Sequence, residues 1–552
     1  SQSSGYSLDI GGNFTVGYDA AASFTQRGDV TIGDDLVLGG VSGGSGTYDL
    51  RGGTLTADTV IVGEVGGGLF TQSGGVLDAM LRNSDRFEYS GGTISQGIWN
   101  HGVIVMDADM AVGGFLETST SLDVPSGRTL TVGADLSVSG GMVSIEGDLN
   151  VHGDEIVGSA SAADFVQHGG THQINGTLTV GNAGEGLGGQ STAPSTFSLL
   201  GGTLSAQNMV VGDGSAGALT QDLATTTIAD TLAIASNSAY ELASGSLTVD
   251  MIVNRGNMTR GESATLNVNT VEHRGTFTGD FENTGAYSFH NGRFDGTLTN
   301  RGTLTFPGWG TIGELVSHAP ISLSDASSVI VEGLYDQRTG TLAIEGMLDT
   351  QDLTTAADGP VIITQSGDMA TVMVNGIPSL GSADYSASYT LVDNGILYAT
   401  ELRVGDEGTG SLVQEGGDVS SEDLRLGTGG TGQGTYTMNG VSLGVARFDV
   451  GVDGQGTLTF NDASAYIGVS ESLTFGEGAS YAAASGTTVH MQGADLDFQA
   501  TNPANMDGLS DTSFVFGVDQ MPVGAQDLAA HTIEAACADL GAIMAGFRDL
   551  FT

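Results

Sequence analysis

Short runs of alternating apolar and polar residues, each closed by a glycine or a turn, organise this chain. Tyr6-Ser-Leu-Asp-Ile10, Phe14-Thr-Val16, Leu130-Thr-Val132, Leu136-Ser-Val138, Leu149-Asn-Val151 and Leu178-Thr-Val180 all follow the pattern. A period of two places alternate side chains on opposite faces, so each run predicts a short β-strand with an inner and an outer face. Strands this short do not make a stable hairpin alone. Stacked coil on coil, they bury Leu, Val, Ile and Phe in columns.

The runs also recur at fixed spacing. Val60-Ile-Val-Gly-Glu-Val-Gly-Gly-Gly-Leu-Phe-Thr-Gln-Ser-Gly-Gly75 matches Leu402-Arg-Val-Gly-Asp-Glu-Gly-Thr-Gly-Ser-Leu-Val-Gln-Glu-Gly-Gly417 position for position. The same grammar returns at Leu424-Arg-Leu-Gly427 and Phe448-Asp-Val-Gly451. Equivalent glycines stand 22 residues apart from Gly405 to Gly427, and 24 apart from Gly427 to Gly451 and from Gly39 to Gly63. A period of that length built from short strands predicts a β-solenoid. The glycine after each Leu-x-Val unit suits a sharp corner, where φ > 0 is needed. The Gly-Gly pairs after Ser73, Leu200 and Glu415 predict a second corner. Between residues 254 and 306 the corners change to Asn254-Arg-Gly, His273-Arg-Gly, Glu282-Asn-Thr-Gly285, His290-Asn-Gly292 and Asn300-Arg-Gly, with an earlier relative at Trp99-Asn-His-Gly-Val103. Asparagine tolerates left-handed geometry and is expected to make these turns.

These patterns divide the chain into a solenoid over 1–354, an irregular β insertion over 355–401 around Pro360 and Pro378, clean solenoid repeats over 402–502, and a C-terminal segment over 503–552. In that last segment Asp527 can cap a short amphipathic helix whose apolar face holds Ile533, Cys537, Leu540, Phe547, Leu550 and Phe551. Such a helix would cap the last coil or dock on a neighbouring subunit.

Composition sharpens this picture. The chain has 552 residues and 90 glycines, with no every-third-residue period that would make it collagen. Its net charge is −49, and all 15 basic residues are arginine. Without lysine, Schiff-base chemistry and Walker-type phosphate binding are excluded. A field this negative repels nucleic acid and anionic membranes and favours divalent cations or basic partners. The single cysteine, Cys537, rules out an intramolecular disulfide. No apolar run is long enough to span a membrane. The start at Ser1 suggests that a leader has been removed, and so export.

Candidate chemistry is sparse. Asp107 with Asp109, Asp495 with Asp497, and the adjacent Asp34 and Asp35 place carboxylates together as acid–base or calcium sites would, but read best as solvated coil-edge residues. Calcium-binding nonapeptides need tandem repeats, which Gly212-Asp-Gly-Ser and Gly451-Val-Asp-Gly lack. Calcium is therefore the one cofactor left open, and no metal ligand is assigned. His168 and His172 flank a Gly-Gly corner without a third ligand. No catalytic set emerges, and an enzyme is not expected. Arginines at 255, 260, 274, 293 and 301 form the densest basic segment, the place to look for the carboxylate-and-arginine cleft that a glycan lyase or hydrolase would need.

The Leu-x-Val-Gly-x-x-Gly-x-Gly-x-Leu-x-x-x-Gly-Gly pattern of 60–77 and 402–419 resembles the β-strand repeat of autotransporter passenger domains and PEP-CTERM-associated bacterial surface proteins. With the less clean segments 36–55, 178–204, 209–221 and 424–460, the match covers about a quarter of the chain. It implies a right-handed parallel β-helix that is secreted or displayed on a cell surface. It implies nothing specific about activity. The chain departs from those families in showing no recognisable membrane barrel or sorting signal.

Together these features lead to a secreted structural protein, a self-assembling subunit of an extracellular filament, sheath or surface layer. Twenty-odd coils at ~4.8 Å each would make a rod on the order of 100 Å long. Its head and tail are expected to meet end to end, burying Ile10, Phe14, Phe547, Leu550 and Phe551. The alternative is an adhesin for a glycan or host surface, which would need Trp, Tyr and Arg aligned on successive coils, with only Trp99 and Trp309 to draw on. A polysaccharide lyase or hydrolase ranks third.

Overall fold

A computed structural model of the chain describes residues 1–182, 194–368, 370–381, 384–491, 495–498, 506–507 and 512–516. Among these residues there is no helix. The chain is all-β, and its strands stack in parallel as a β-solenoid of about 22 turns. The expected C-terminal helix lies outside the described residues, as do Phe547, Leu550 and Phe551. The chain separates into two compact units, Ser1–Asp336 with Gly346–Thr350, and Gln337–Glu345 with Gln351–Thr552.

In the first unit a full coil carries three short strands. Asp29–Ile32, Leu36–Leu38 and Ser45–Leu50 pair in parallel with Ser7–Ile10, Phe14–Val16 and Ala21–Gln26. Because the register is strict, the inner residues of successive coils fall into columns. Leu36 lies over Val60, Leu130 over Leu149, and Val143, Phe165, Phe197 and Leu219 follow one another in a single column. All of these are fully buried. Burying each such side chain contributes about 1.5–3 kcal/mol, repeated coil after coil. Rings stack within the columns, with Phe165 and Phe197 centred 4.4 Å apart and nearly parallel.

The coil is not of constant length. Asn83 bonds Asn100, and Asn283 bonds Asn300, in each case a partner 17 residues along the chain. In these short coils the side chains of Asn100 and Asn300 in turn donate to Thr118 and Ser317, forming buried ladders up the core. The asparagines thus act differently from the sequence expectation. None of Asn100, Asn254, Asn283 and Asn300 has positive φ; each is buried at a strand end, and its amide satisfies polar groups there.

The second unit keeps the same logic with clean registers. Leu402, Leu424, Phe448 and Leu473 form one column, and Tyr389, Leu412, Tyr436, Leu458 and Tyr481 another. The corner glycines behave as their spacing requires: Gly405, Gly427 and Gly451 have φ of 76°, 69° and 61°. A Cβ on Gly427 would also sit 2.2 Å from the carbonyl oxygen of Gln455 in the next coil. Residues 361–391, expected as an irregular insertion, instead continue the coils. Val361–Gln365 pairs with Gly340–Ile344 on one side and Ser386–Leu391 on the other, all in parallel. Here the period stretches to 26 residues from Ile363 to Tyr389. Longer corners absorb the extra chain, which hides the repeat from a search at 22–24 residues.

Candidate functional site

A concave part of the described surface lies where the first unit changes coil length. Strands Thr225–Ile234, Ser246–Asn254 and Thr265–His273 stack in parallel, with Thr226, Leu247 and Leu266 in one column and Ile228, Val249 and Val268 in the next. The following coil skips part of this face. Thr270–His273 pairs onward with Ala286–Phe289, whereas Thr265–Val268 has no strand above it among the described residues. The chain turns instead through Phe281–Asn283, which pairs with residues 298–300 in the other sheet. Leu266 and Val268 are consequently half-buried, although their column neighbours below are buried.

The missing strand leaves a cleft of about 980 Å³. Its ionisable lining is Asp250, Asp280, Glu282 and Arg260. The Arg260 guanidinium donates to the carbonyls of Asp280 and Ala264, both at 2.7 Å. Asp280 accepts from the Thr297 amide at 2.9 Å, Asp250 from the Asn269 amide group at 2.8 Å, and Glu282 pairs with Arg301 at 2.5 Å. Of the basic segment singled out in the sequence, only Arg260 lines the cleft. Arg293 faces elsewhere, gripping Glu332 through two bonds of 2.8 Å.

A second exposed edge is the first coil. Strands Ser7–Ile10, Phe14–Val16 and Ala21–Gln26 have strand partners on one side only among the described residues; on the other side the Gln2 amide donates to the Thr25 carbonyl at 2.9 Å. Ile10 and Phe14 are half-buried there, whereas their register partners Ile32 and Leu36 are buried. Phe14 packs edge-on against Phe24 at 5.3 Å. Both described members of the expected assembly set therefore sit on one open coil edge.

The other candidates are not brought together. His172 is buried in the core and contacts Glu155 at 2.7 Å, both with fully buried side chains, while His168 is exposed. Asp107 and Asp109 are exposed, as are Asp495 and Asp497. No group of three or more potential metal ligands exists among the described residues. Trp99 and Trp309 are 37% and 40% exposed but stand on separate coils, paired with Arg82 and with Asn291. No described helix is long and apolar enough to cross a membrane. One buried histidine is strongly perturbed. Burial pushes His273 down to about 4, against smaller opposing effects of the Arg293 and Gly275 carbonyls. Its Nε2 donates to the Arg293 carbonyl at 3.1 Å.

Comparison with protein-family models, curated proteins and solved structures yields no match to this chain.

One class of working residue escaped the sequence reading. Gln26, Gln221, Gln365 and Gln414 end the strand before a corner and are fully buried. Each donates to a carbonyl of its own corner and to one in the next coil; for Gln414 these are Gly417 and Ser442, both at 2.9 Å. Each also accepts from a tyrosine hydroxyl of the next coil: Tyr48, Tyr240, Tyr389 and Tyr436 respectively. The recurrent Thr-Gln or Val-Gln before the corner was the available signal.

Proposed function

We propose that this protein is a structural subunit that self-assembles into an extracellular filament, sheath or surface layer, and that it is related to the secreted bacterial β-strand repeat proteins its repeat resembles. The observation that supports this reading is the stack of about 22 parallel turns in register, on whose first described coil Ile10 and Phe14 are half-buried while their neighbours in the next coil are buried. Parallel strands with unpaired N–H and C=O groups are a ready template for another chain. A contact of that edge with a different surface of a second copy is heterologous and gives an open filament when its rotation does not close a ring. The acidic surface suits an assembly bridged or screened by cations.

The test is assembly by the double variant Ile10→Asp/Phe14→Asp, followed by sedimentation and light scattering. The variant is expected to stay folded by circular dichroism and to lose at least ten-fold in assembled mass. Assembly at the wild-type level would remove the first coil from the mechanism.

A further inference from the structure

The skipped strand at Thr265–Val268 has a consequence for binding that self-assembly does not use. Along a strand, successive backbone groups point to opposite edges. The Thr265 amide donates down to the Gly245 carbonyl at 2.9 Å, so Thr265 and Asn267 face the coil below. Leu266 and Val268 therefore direct their N–H and C=O groups upward, to the side where no described strand lies. Their half-buried side chains expose an apolar strip along the same line. Asp280, Phe281, Glu282 and Thr299 also line this cleft. The cleft thus has the backbone edge, the apolar floor and the length of one short β-strand.

We infer that this cleft binds an extended, cationic peptide segment of a partner protein by β-strand addition. Main-chain bonds to Leu266 and Val268 supply affinity, and small apolar side chains at alternate positions cover those two residues. Charge selects the occupant: of the three lining carboxylates, Glu282 is paired with Arg301, while Asp250 and Asp280 accept only from amides among the described residues, and the one lining guanidinium, Arg260, is already bonded to two carbonyls. A lysine or arginine at either end of the segment meets these carboxylates, and an acidic segment is repelled.

The experiment uses the full chain and a fluorescein-labelled Lys-Val-Thr-Val-Lys peptide, read by anisotropy at low salt. Two control peptides are Glu-Val-Thr-Val-Glu and a version of the first with alternate amides N-methylated. Saturable binding is expected, at least ten-fold tighter than either control, with deuterium-exchange protection confined to the segment around Leu266–Val268. Asp280→Asn/Glu282→Gln is expected to narrow the lysine-over-glutamate preference at least three-fold without changing the circular dichroism. Equal binding of the N-methylated peptide, protection elsewhere, or displacement by a neutral hexasaccharide would each overturn the proposal.

Discussion

At the residue scale, polar groups in the core do as much to define this molecule as the leucines do. Glu155 stands in a column between Leu136 and Leu178, and His172 between Leu149 and Leu204. Two fully buried ionisable groups lose their hydration, and one contact of 2.7 Å between them offsets only part of that cost. Glu155→Leu or His172→Leu alone strands its partner and should destabilise by about 3–5 kcal/mol. The double variant restores two unbroken leucine columns and should match or exceed wild type by about 1–4 kcal/mol in urea unfolding. If the double variant is as unstable as the singles, the pair is not a local liability. His273 makes a separate, pH-dependent contribution. Its folded value of about 4 lies below the unfolded value of 6.5, so the unfolded chain binds the proton more readily. The stability it permits is complete above the unfolded value and falls as pH drops from 6.5 towards 4, by on the order of 3 kcal/mol. His273→Asn should flatten that part of the profile of unfolding midpoint against pH.

At the element scale, the corner is the unit that holds coils together. A glycine reaches the left-handed turn, and a glutamine beneath it ties two corner carbonyls and a tyrosine hydroxyl across coils. Acidic residues serve the same end from outside: Asp29, Asp109, Asp148 and Asp154 accept from the amides of Thr54, Thr129, Thr171 and Thr177 in the next coil. Part of the acidity is therefore structural. Gln414→Leu keeps the size but leaves two carbonyls and the Tyr436 hydroxyl without their partner. It should cost about 3–5 kcal/mol, against about 1 kcal/mol for Tyr436→Phe, measured as shifts in the urea midpoint. Similar costs for the two variants would mean that the glutamine acts only through the tyrosine.

The same scale shows what the sequence made legible. Repeat spacing located the corner glycines and the columns through Leu402, Leu424 and Phe448, because a period-two strand and a φ > 0 corner leave direct marks on residue type. The cleft left no such mark. It arises from a strand that is absent over Thr265–Val268, and a missing neighbour is not written in the residues that lack it. The continuation of the coils through 361–391 was hidden for a different reason, since corner length varies freely while register does not.

At the scale of the whole molecule, charge and repetition meet. A net charge of −49 opposes the approach of any second copy, so association has to rest on a specific edge and on screening or bridging by cations. Most arginines with a described role pair with acidic neighbours, as Arg51 does with Asp49 and Arg447 with Asp423, leaving the carboxylates in large excess. The edge that carries Ile10 and Phe14 is the described surface on which the self-assembly account depends. Electron microscopy of the purified chain, with and without millimolar calcium, tests that account most directly. Ordered filaments or sheets, more abundant with calcium and absent for Ile10→Asp/Phe14→Asp, are the predicted result. Monodisperse single molecules in both conditions would contradict it.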